Sequence, residues 1–440
     1  MNRRWWALAA LVLSVLVIGL DSTVLNVALP TLAGALRADT GDLQWIVDGY
    51  LVVFAVLLLP AGLLGDRYGR KKLLITGLVL FGAASLAASY TTGVPGLVAA
   101  RAAMGFGAAL IIPLSMAVIP SVFPPAERTK AIAIWSAGVA LGLPLGPVLG
   151  GWLLDHYWWG SIFLINVPVV LLAVLVTALM VPESRNPGTE PVDLAGVALS
   201  VAGLGALVYG AIERSPGWTV AGVAGLAGFL LWQRRARHPM LDLRLYADRN
   251  FLWGSVVATL ATFGLMGVLF VLPLYLHQVL GYDALGVGLR LIPLMAGLLV
   301  AGLASSRILP RVGPRLAVGG GLVVLAVGLA LGATTDAADG YGWTALWLSV
   351  LGVGTGASLV PAMDTVLATL PAERTGIGSA AVQAMRQVGG ALGVAVLGSL
   401  LSGRLPDLVG GMRLVLATCV VCVAFGAALA GFGLSGRMRA

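Results

Sequence analysis

The strongest constraint on this chain is a succession of continuous apolar runs, each about 20 residues long, joined by short connectors. A helix of that length crosses the ~30 Å hydrocarbon core of a bilayer. Only 10% of the 440 residues are charged and 59% are hydrophobic, whereas soluble domains carry roughly 25% charged residues. Because the runs are continuous and do not alternate, the sequence predicts an all-α polytopic membrane protein.

We predict fourteen transmembrane helices. The run at 217–233 is short and rich in glycine, which makes it the weakest match to a bilayer-spanning segment. The predicted spans are 5–30, 43–64, 73–90, 96–119, 131–154, 161–181, 193–213, 217–233, 250–275, 285–306, 315–333, 342–369, 376–402 and 412–435.

The basic residues predict the orientation of these spans. Most of the 27 Lys and Arg lie in connectors that share one side if the N-terminus is inside. The positive-inside rule then places both termini in the cytoplasm and the chain in the cell inner (plasma) membrane. Topology therefore explains the net charge of +8, and we expect no nucleic-acid partner. The first run is expected to be a retained span, because it is too long for a signal peptide.

The chain contains an internal repeat. The connector "PAERT" occurs at Pro125–Thr129 and again at Pro371–Thr375, and "GLLGDRYGRKKL" from Gly62 is echoed by "GLASSRILPRVGPRL" from Gly302. The repeat predicts a six-helix bundle at 1–186, two extra central helices at 187–236 and a second six-helix bundle at 237–440. Transporters are commonly built from such repeats, with the substrate path between them.

The connector "GLLGDRYGRKK" is the first motif of interest. Gly62, Gly65 and Gly69 permit a tight turn, and Asp66 lies among Arg67, Arg70 and two lysines. For the basic residues alone, a purely topological role would suffice. In the echo of this motif, Pro310 stands where Asp66 does, so the two copies of the motif are asymmetric.

The fifth span carries a second motif, "GLPLGPVLGG". Small residues spaced four apart permit close helix contact, and a proline removes one backbone hydrogen bond. Simple packing is one interpretation of this motif. Its residues are Gly142, Gly146, Pro147, Gly150 and Gly151.

Charged residues inside the predicted spans are candidates for proton coupling. A charge at a helix centre costs about 2.5–3.5 kcal/mol, so such residues usually face a partner or a cavity. Asp21, Asp48 and Arg101 all fall in the outer half of the N-terminal bundle. We hypothesise that Asp21 is the principal proton site and Arg101 its partner. A static Asp21–Arg101 ion pair is the alternative.

Asp48 is interpreted as a second acid that either titrates or attracts a cationic substrate. A surface-directed acid at the end of its span remains the alternative, since Asp48 lies close to the predicted boundary. Arg386 is expected to face the charged layer from the second half. The predicted substrate cavity is lined by Asp21, Asp48, Arg386 and Gln387.

These motifs resemble those of the major facilitator superfamily. "GLLGDRYGRKK" is similar to its cytoplasmic signature, which implies that Asp66 and Arg70 help latch one conformation. "GLPLGPVLGG" resembles the antiporter signature of its drug exporters. "LDSTVLNVALP" from Leu20, "RAAMGFGAA" from Arg101 and "GSAAVQAMRQVGGALG" from Gly378 resemble the signatures of the fourteen-helix drug:proton antiporters. The resemblance implies the major facilitator fold and proton-driven efflux.

Other function classes lack their motifs. No GxxxxGK[ST] loop is present for ATP binding, and no cluster of His, Glu or Cys indicates an enzyme or a metal site. We expect a monomeric exporter of small hydrophobic or cationic compounds, with no cofactor beyond the proton gradient. A dedicated exporter of one endogenous metabolite, antibiotic, lipid or siderophore is the main alternative, followed by a nutrient:proton symporter and a non-transporting membrane protein.

Overall fold

The computed structural model describes residues 3–185, 192–336, 338–370 and 375–434. These residues form α-helices joined by short connections, with a 3₁₀ turn at Leu243–Ala247. The helices of the first half are α1 (Arg3–Leu36), α2 (Thr40–Tyr68), α3 (Arg70–Ser89), α4 (Val94–Val122), α5 (Pro125–His156), α6 (Ser161–Leu164) and α7 (Asn166–Met180). They are followed by α8 (Leu194–Ile212), α9 (Pro216–Arg235), α10 (Arg249–Gln278), α11 (Ala284–Arg290), α12 (Ile292–Ala333), α13 (Tyr341–Leu367), α14 (Thr375–Ser402) and α15 (Leu408–Gly433).

Thirteen segments of the described residues are long and apolar enough to cross a membrane. Each coincides with one of the predicted spans, which confirms the all-α polytopic class. Helix α9 is present over the predicted span 217–233 but is not among the thirteen. Several glycines and two tryptophans make this helix less apolar than the others.

Three predicted spans differ from the structure in their details. The span predicted at 161–181 is divided near Ile165 into α6 and α7, because Pro168 has no N–H for the carbonyl one turn earlier. The separate spans predicted at 285–306 and 315–333 are joined within α12 across a single non-helical residue, Gly313. The connection between them is therefore shorter than predicted.

The internal repeat has a structural counterpart at Gly69 and Gly313, which occupy matching positions in the two copies of the motif, 244 residues apart. Gly69 has φ of 113° and Gly313 has φ of 79°, a region that residues with a Cβ rarely adopt. Both glycines sit where one predicted span turns into the next, as the aligned motifs indicated. Of the second "PAERT" copy, residues 371–374 lie outside the described residues.

The chain divides into two compact units. The first comprises Met1–Gly205 and Ala221–Leu241, and the second comprises Ala206–Val220 and Asp242–Ala440. In the second unit α13 lies close against α12, since a Cβ at Gly328 would be only 2.6 Å from the backbone nitrogen of Leu351. Small residues therefore occupy the positions where the helix backbones meet.

In the first unit, α5 packs directly on α1. A Cβ at Gly142 would lie 2.8 Å from the Cα of Gly19, and a Cβ at Gly146 would collide with Thr23 Oγ1. A Cβ at Gly150 would likewise collide with the Val24 side chain. This contact confirms the packing interpretation of the fifth-span motif, and it fixes one face of α1 while leaving Asp21 to face other helices.

Candidate functional site

A buried ion pair joins α1 to α4 in the first unit. Arg101 Nη1 donates a hydrogen bond to Asp21 Oδ2 over 2.7 Å. The side chains of Asp21 and Arg101 are 0% and 2% exposed, so neither charge is solvated by bulk water. The structure therefore places the predicted partners in direct contact.

Groups from α2 complete the surroundings of Arg101. Its guanidinium carbon lies 4.4 Å from the centroid of the Tyr50 ring, within the range of a cation–π contact. Arg101 Nε donates to the carbonyl oxygen of Ile46 over 3.3 Å. These contacts hold the guanidinium plane so that one of its nitrogens points at Asp21.

Asn166 belongs to the same cluster, although the sequence reasoning missed it. Asn166 Nδ2 donates to Ser85 Oγ over 3.0 Å and lies 3.5 Å from Asp21 Oδ1. Ser85 in turn donates to the carbonyl oxygen of Phe163. Asn166 is 1% exposed, and the available signal was an amide within the otherwise apolar stretch "SIFLINVPVV".

Asp48 lies on α2 and is completely buried. Neither of its carboxylate oxygens has a hydrogen-bond partner among the described residues. It does not extend toward the surface, so the structure does not favour the alternative of a surface-directed acid. An isolated buried carboxylate is far more costly than a buried carboxylic acid, so this environment suits a protonated side chain.

Arg386 and Gln387 lie on α14, in the second unit, and are partly buried. Arg386 donates to Thr262 Oγ1 over 3.3 Å and to Gln383 Oε1 over 3.1 Å. These are hydrogen bonds to neutral groups, so they do not neutralise the arginine. That Arg386 and Gln387 face the charged layer of the first unit stays a prediction.

The turn between α2 and α3 contains the predicted latch residues. Arg70 Nε donates to Asp66 Oδ1 over 2.7 Å, and Arg70 Nη1 donates to the carbonyl oxygen of Ala117 on α4 over 3.1 Å. Gly62 lies one turn before Asp66 and has open space at its Cβ position. The acid and the arginine thus tie the turn to α4.

A second acid, Glu183, supports this turn and was not foreseen. Its two carboxylate oxygens accept the backbone N–H groups of Lys71 and Lys72 over 3.1 and 3.2 Å. A carboxylate at the start of α3 also complements the helix dipole. A Cβ at Gly69 would lie 2.9 Å from the Glu183 carboxyl carbon, so glycine is required by both space and conformation.

The sequence matches the family model described as Major Facilitator Superfamily over residues 11–394. The chain belongs to the major facilitator superfamily. This confirms the resemblance carried by the motifs, and it identifies the protein as a member of a family of multi-pass membrane transporters.

Curated relatives of this superfamily member cover most of its length. The tetracenomycin C resistance and export protein of Streptomyces glaucescens is 33% identical over 416 residues, which is 92% of this chain and 77% of the relative. The methyl viologen resistance protein SmvA of Salmonella typhimurium is 35% identical over 91% of this chain and 83% of its own length. The multidrug efflux pump LfrA of Mycolicibacterium smegmatis is 34% identical over 91% and 81%.

Solved structures share the major facilitator fold at low sequence identity. A D-xylose-proton symporter gives a TM-score of 0.73 with 16% identity, over 99% of each chain. A bacterial homologue of the human lysosomal transporter Spinster gives 0.72 with 17% identity, over 99% of this chain and 98% of the other. These similarities establish the all-helical fold of the chain.

Proposed function

We propose that this transporter exports small hydrophobic or cationic compounds, including drugs and antibiotics, in exchange for protons. The observations that carry the proposal are two buried charged sites in the first unit: the Asp21–Arg101 ion pair between α1 and α4, and Asp48 on α2, whose carboxylate has no hydrogen-bond partner among the described residues. Membrane-embedded ionisable groups of this kind mark ion and substrate pathways.

The relatives support the direction and the cargo. One relative is named for resistance to and export of tetracenomycin C, a second for resistance to methyl viologen, and a third for multidrug efflux. Each of these similarities covers more than nine-tenths of this chain. Two of the three names include export or efflux, and two include resistance to a named compound.

We assign the proton to Asp48 in the conformation described here. Among the described residues, the Asp48 carboxylate has no ion-pair or hydrogen-bond partner to stabilise a negative charge, whereas Asp21 has Arg101 and Asn166. Asp21, the principal proton site predicted from the sequence, takes part in the same cycle when its distance to Arg101 or its access to water changes between conformations. Proton movement follows if each conformation favours a different charge state of the two acids.

The wider arrangement of the transporter is part of the same proposal. Fourteen spans form two six-helix bundles plus a central pair, with both termini in the cytoplasm of a plasma membrane. Arg386 and Gln387 line the cavity with the two acids, and Asp66, Arg67 and Arg70 latch the cytoplasmic side. The excess of basic residues in the predicted inner connectors supports this orientation.

A dedicated exporter of one endogenous compound is the second candidate. It is favoured by the relatives named for single natural products, tetracenomycin C and actinorhodin. The proposed proton-coupling mechanism would be the same for this candidate. Substrate breadth depends on the cavity, whereas proton coupling depends on the buried acids.

Transport in proteoliposomes tests the proposal. The purified chain would be given a panel of cationic dyes, neutral antibiotics and sugars under an imposed proton gradient. We expect several dyes to move against the inward flow of protons, and reversing the gradient should reverse their direction. Movement of one compound alone would select the dedicated exporter, and movement with the protons would contradict antiport.

A further inference from the structure

A cleft of about 410 Å³ opens in the first unit and is separate from the buried charge cluster. Its volume lies in the range of ligand-binding pockets. Helix α2 forms one wall, α4 the second and the first turn of α8 the third. Its lining is largely apolar and includes Leu57, Leu64, Phe106, Leu110, Leu194 and Val197.

The cleft has the depth of one bilayer leaflet. Its lining on α2 extends from Leu57 to Tyr68, where the candidate span ends. From Leu57 to Arg67 the helix makes about ten residue steps and rises by ~15 Å, which equals about half of the ~30 Å hydrocarbon core. An apolar groove of this length is suited to an acyl chain that lies along the membrane normal.

A cation and an aromatic ring stand at the open end. Arg67 and Tyr68 both line the cleft and are exposed. Within the described parts of the chain, Arg67 forms no ion pair. Its guanidinium carbon lies 5.6 Å from the centroid of the Tyr68 ring. The neighbouring Arg70 is neutralised by Asp66. An arginine and a tyrosine at the end of a span are placed to meet an anionic headgroup.

The walls of the cleft are fixed by contacts that do not involve the cleft itself. Asp193 accepts hydrogen bonds from Gly196 N, Trp232 Nε1 and Gln233 Nε2 over 2.8–2.9 Å, which anchors the start of α8. Helices α2 and α4 are held close together, because a Cβ at Gly105 would lie 2.5 Å from the carbonyl oxygen of Tyr50. The groove is therefore preformed.

We propose that this cleft binds an anionic phospholipid of the cytoplasmic leaflet. One acyl chain lies along α2 and α4, and the phosphate pairs with Arg67. The proposal rests on the cytoplasmic orientation of the α2–α3 turn and is independent of which compound is exported.

The test uses the full chain purified in detergent and titrated with dioleoyl phosphatidylglycerol or dioleoyl phosphatidylcholine. Native mass spectrometry counts the lipids retained. We expect one phosphatidylglycerol to bind more tightly than phosphatidylcholine, and Arg67→Gln to weaken phosphatidylglycerol binding about fivefold. The matched control Lys72→Gln removes one charge from the same turn without altering the cleft lining, and it should retain the preference.

Filling the groove provides the second arm. Leu64→Trp from α2 and Val197→Trp from α8 each place an indole in the cleft, and either should abolish retention of both lipids. Unchanged retention in a folded tryptophan variant would overturn the groove assignment. Equal loss in Arg67→Gln and Lys72→Gln would also overturn the proposal, because it would indicate a general basic surface. The measurement involves no transport, so its failure leaves the proposed efflux function untouched.

Discussion

Asp21 and Asp48 are both fully buried, but the groups around their carboxylates differ. Asp21 receives a hydrogen bond from the Arg101 guanidinium, whereas Asp48 receives none from the described residues. A buried carboxylate that loses its arginine, or an arginine that loses its carboxylate, is left as an uncompensated charge. The two acids should therefore respond differently to replacement by the neutral amide.

Asp21→Asn is expected to destabilise the protein by about 3–5 kcal/mol, because Arg101 is left buried without its counter-ion. Asp48→Asn is expected to change stability by less than about 1 kcal/mol, since we propose that the carboxyl group it replaces is protonated and therefore neutral. Thermal unfolding of the purified variants in one detergent checks the difference.

The double variant Asp21→Asn with Arg101→Gln is the control for that prediction. Removing both charges should recover much of the stability lost in Asp21→Asn, because no isolated charge remains. Equal unfolding temperatures for Asp21→Asn and Asp48→Asn would contradict the ion-pair description.

The sequence allowed part of this residue-scale description to be predicted. The depth of Asp21 and Arg101 in their spans, with opposite charges, was enough to pair them. Asn166, Ser85 and Tyr50 were not foreseen, because hydropathy gives the depth of a residue in a membrane span but not the direction its side chain faces when all sides of the helix are apolar. Contacts of this kind depend on helix rotation, which only tertiary packing sets.

At the scale of elements, the contact between α1 and α5 positions Asp21. Gly146→Ala is expected to cost about 1–3 kcal/mol, because its Cβ would meet Thr23 Oγ1 and the Leu20 carbonyl. Gly205→Ala is the matched control, since a Cβ there would have open space, and it should be neutral or stabilising by up to about 1 kcal/mol. Thermal unfolding of both variants distinguishes them, and equal effects would argue against the tight α1–α5 packing.

The two glycines of the repeat give a second prediction at this scale. Gly69→Ala and Gly313→Ala should each destabilise the protein by about 1–2 kcal/mol through the left-handed backbone conformation. Gly69→Ala should cost more, because its Cβ would also press on Glu183. An unfolding temperature unchanged by either substitution would show that the turn readily adopts another conformation.

Element boundaries were predictable to within a few residues wherever an apolar run ended in charged or turn-forming residues. The exceptions have local causes. Pro168 divides the sixth span, and a single glycine suffices for the turn inside α12, where the sequence suggested a longer connector. Glu183 was missed because its role depends on the distant start of α3.

At the scale of the whole molecule, the number of spans depends on α9. Cysteines placed at Arg185, Gly217 and Arg237, in a background lacking Cys419 and Cys422, report the side of each connection. We expect a membrane-impermeant maleimide added outside intact cells to label Gly217→Cys alone. Labelling of Gly217→Cys and Arg237→Cys together would show that α9 does not cross, and would contradict the fourteen-span arrangement.

The superfamily and the all-helical architecture follow from properties spread along the whole chain, namely the apolar runs, the duplicated motifs and the distribution of basic residues. That is why they could be predicted from the sequence. Substrate identity is different, because it depends on a few side chains whose arrangement changes between conformations.

The most direct test of the account is gradient-driven dye accumulation in proteoliposomes that contain wild-type protein, Asp48→Asn, the Asp21→Asn and Arg101→Gln double variant, or Asp364→Asn. Asp364 is an exposed acid near the end of α13 and serves as the control. We expect wild type and Asp364→Asn to concentrate a cationic dye against its gradient, while both buried-acid variants only equilibrate it. Undiminished accumulation by both buried-acid variants would contradict the claim that Asp21 and Asp48 couple proton movement to export.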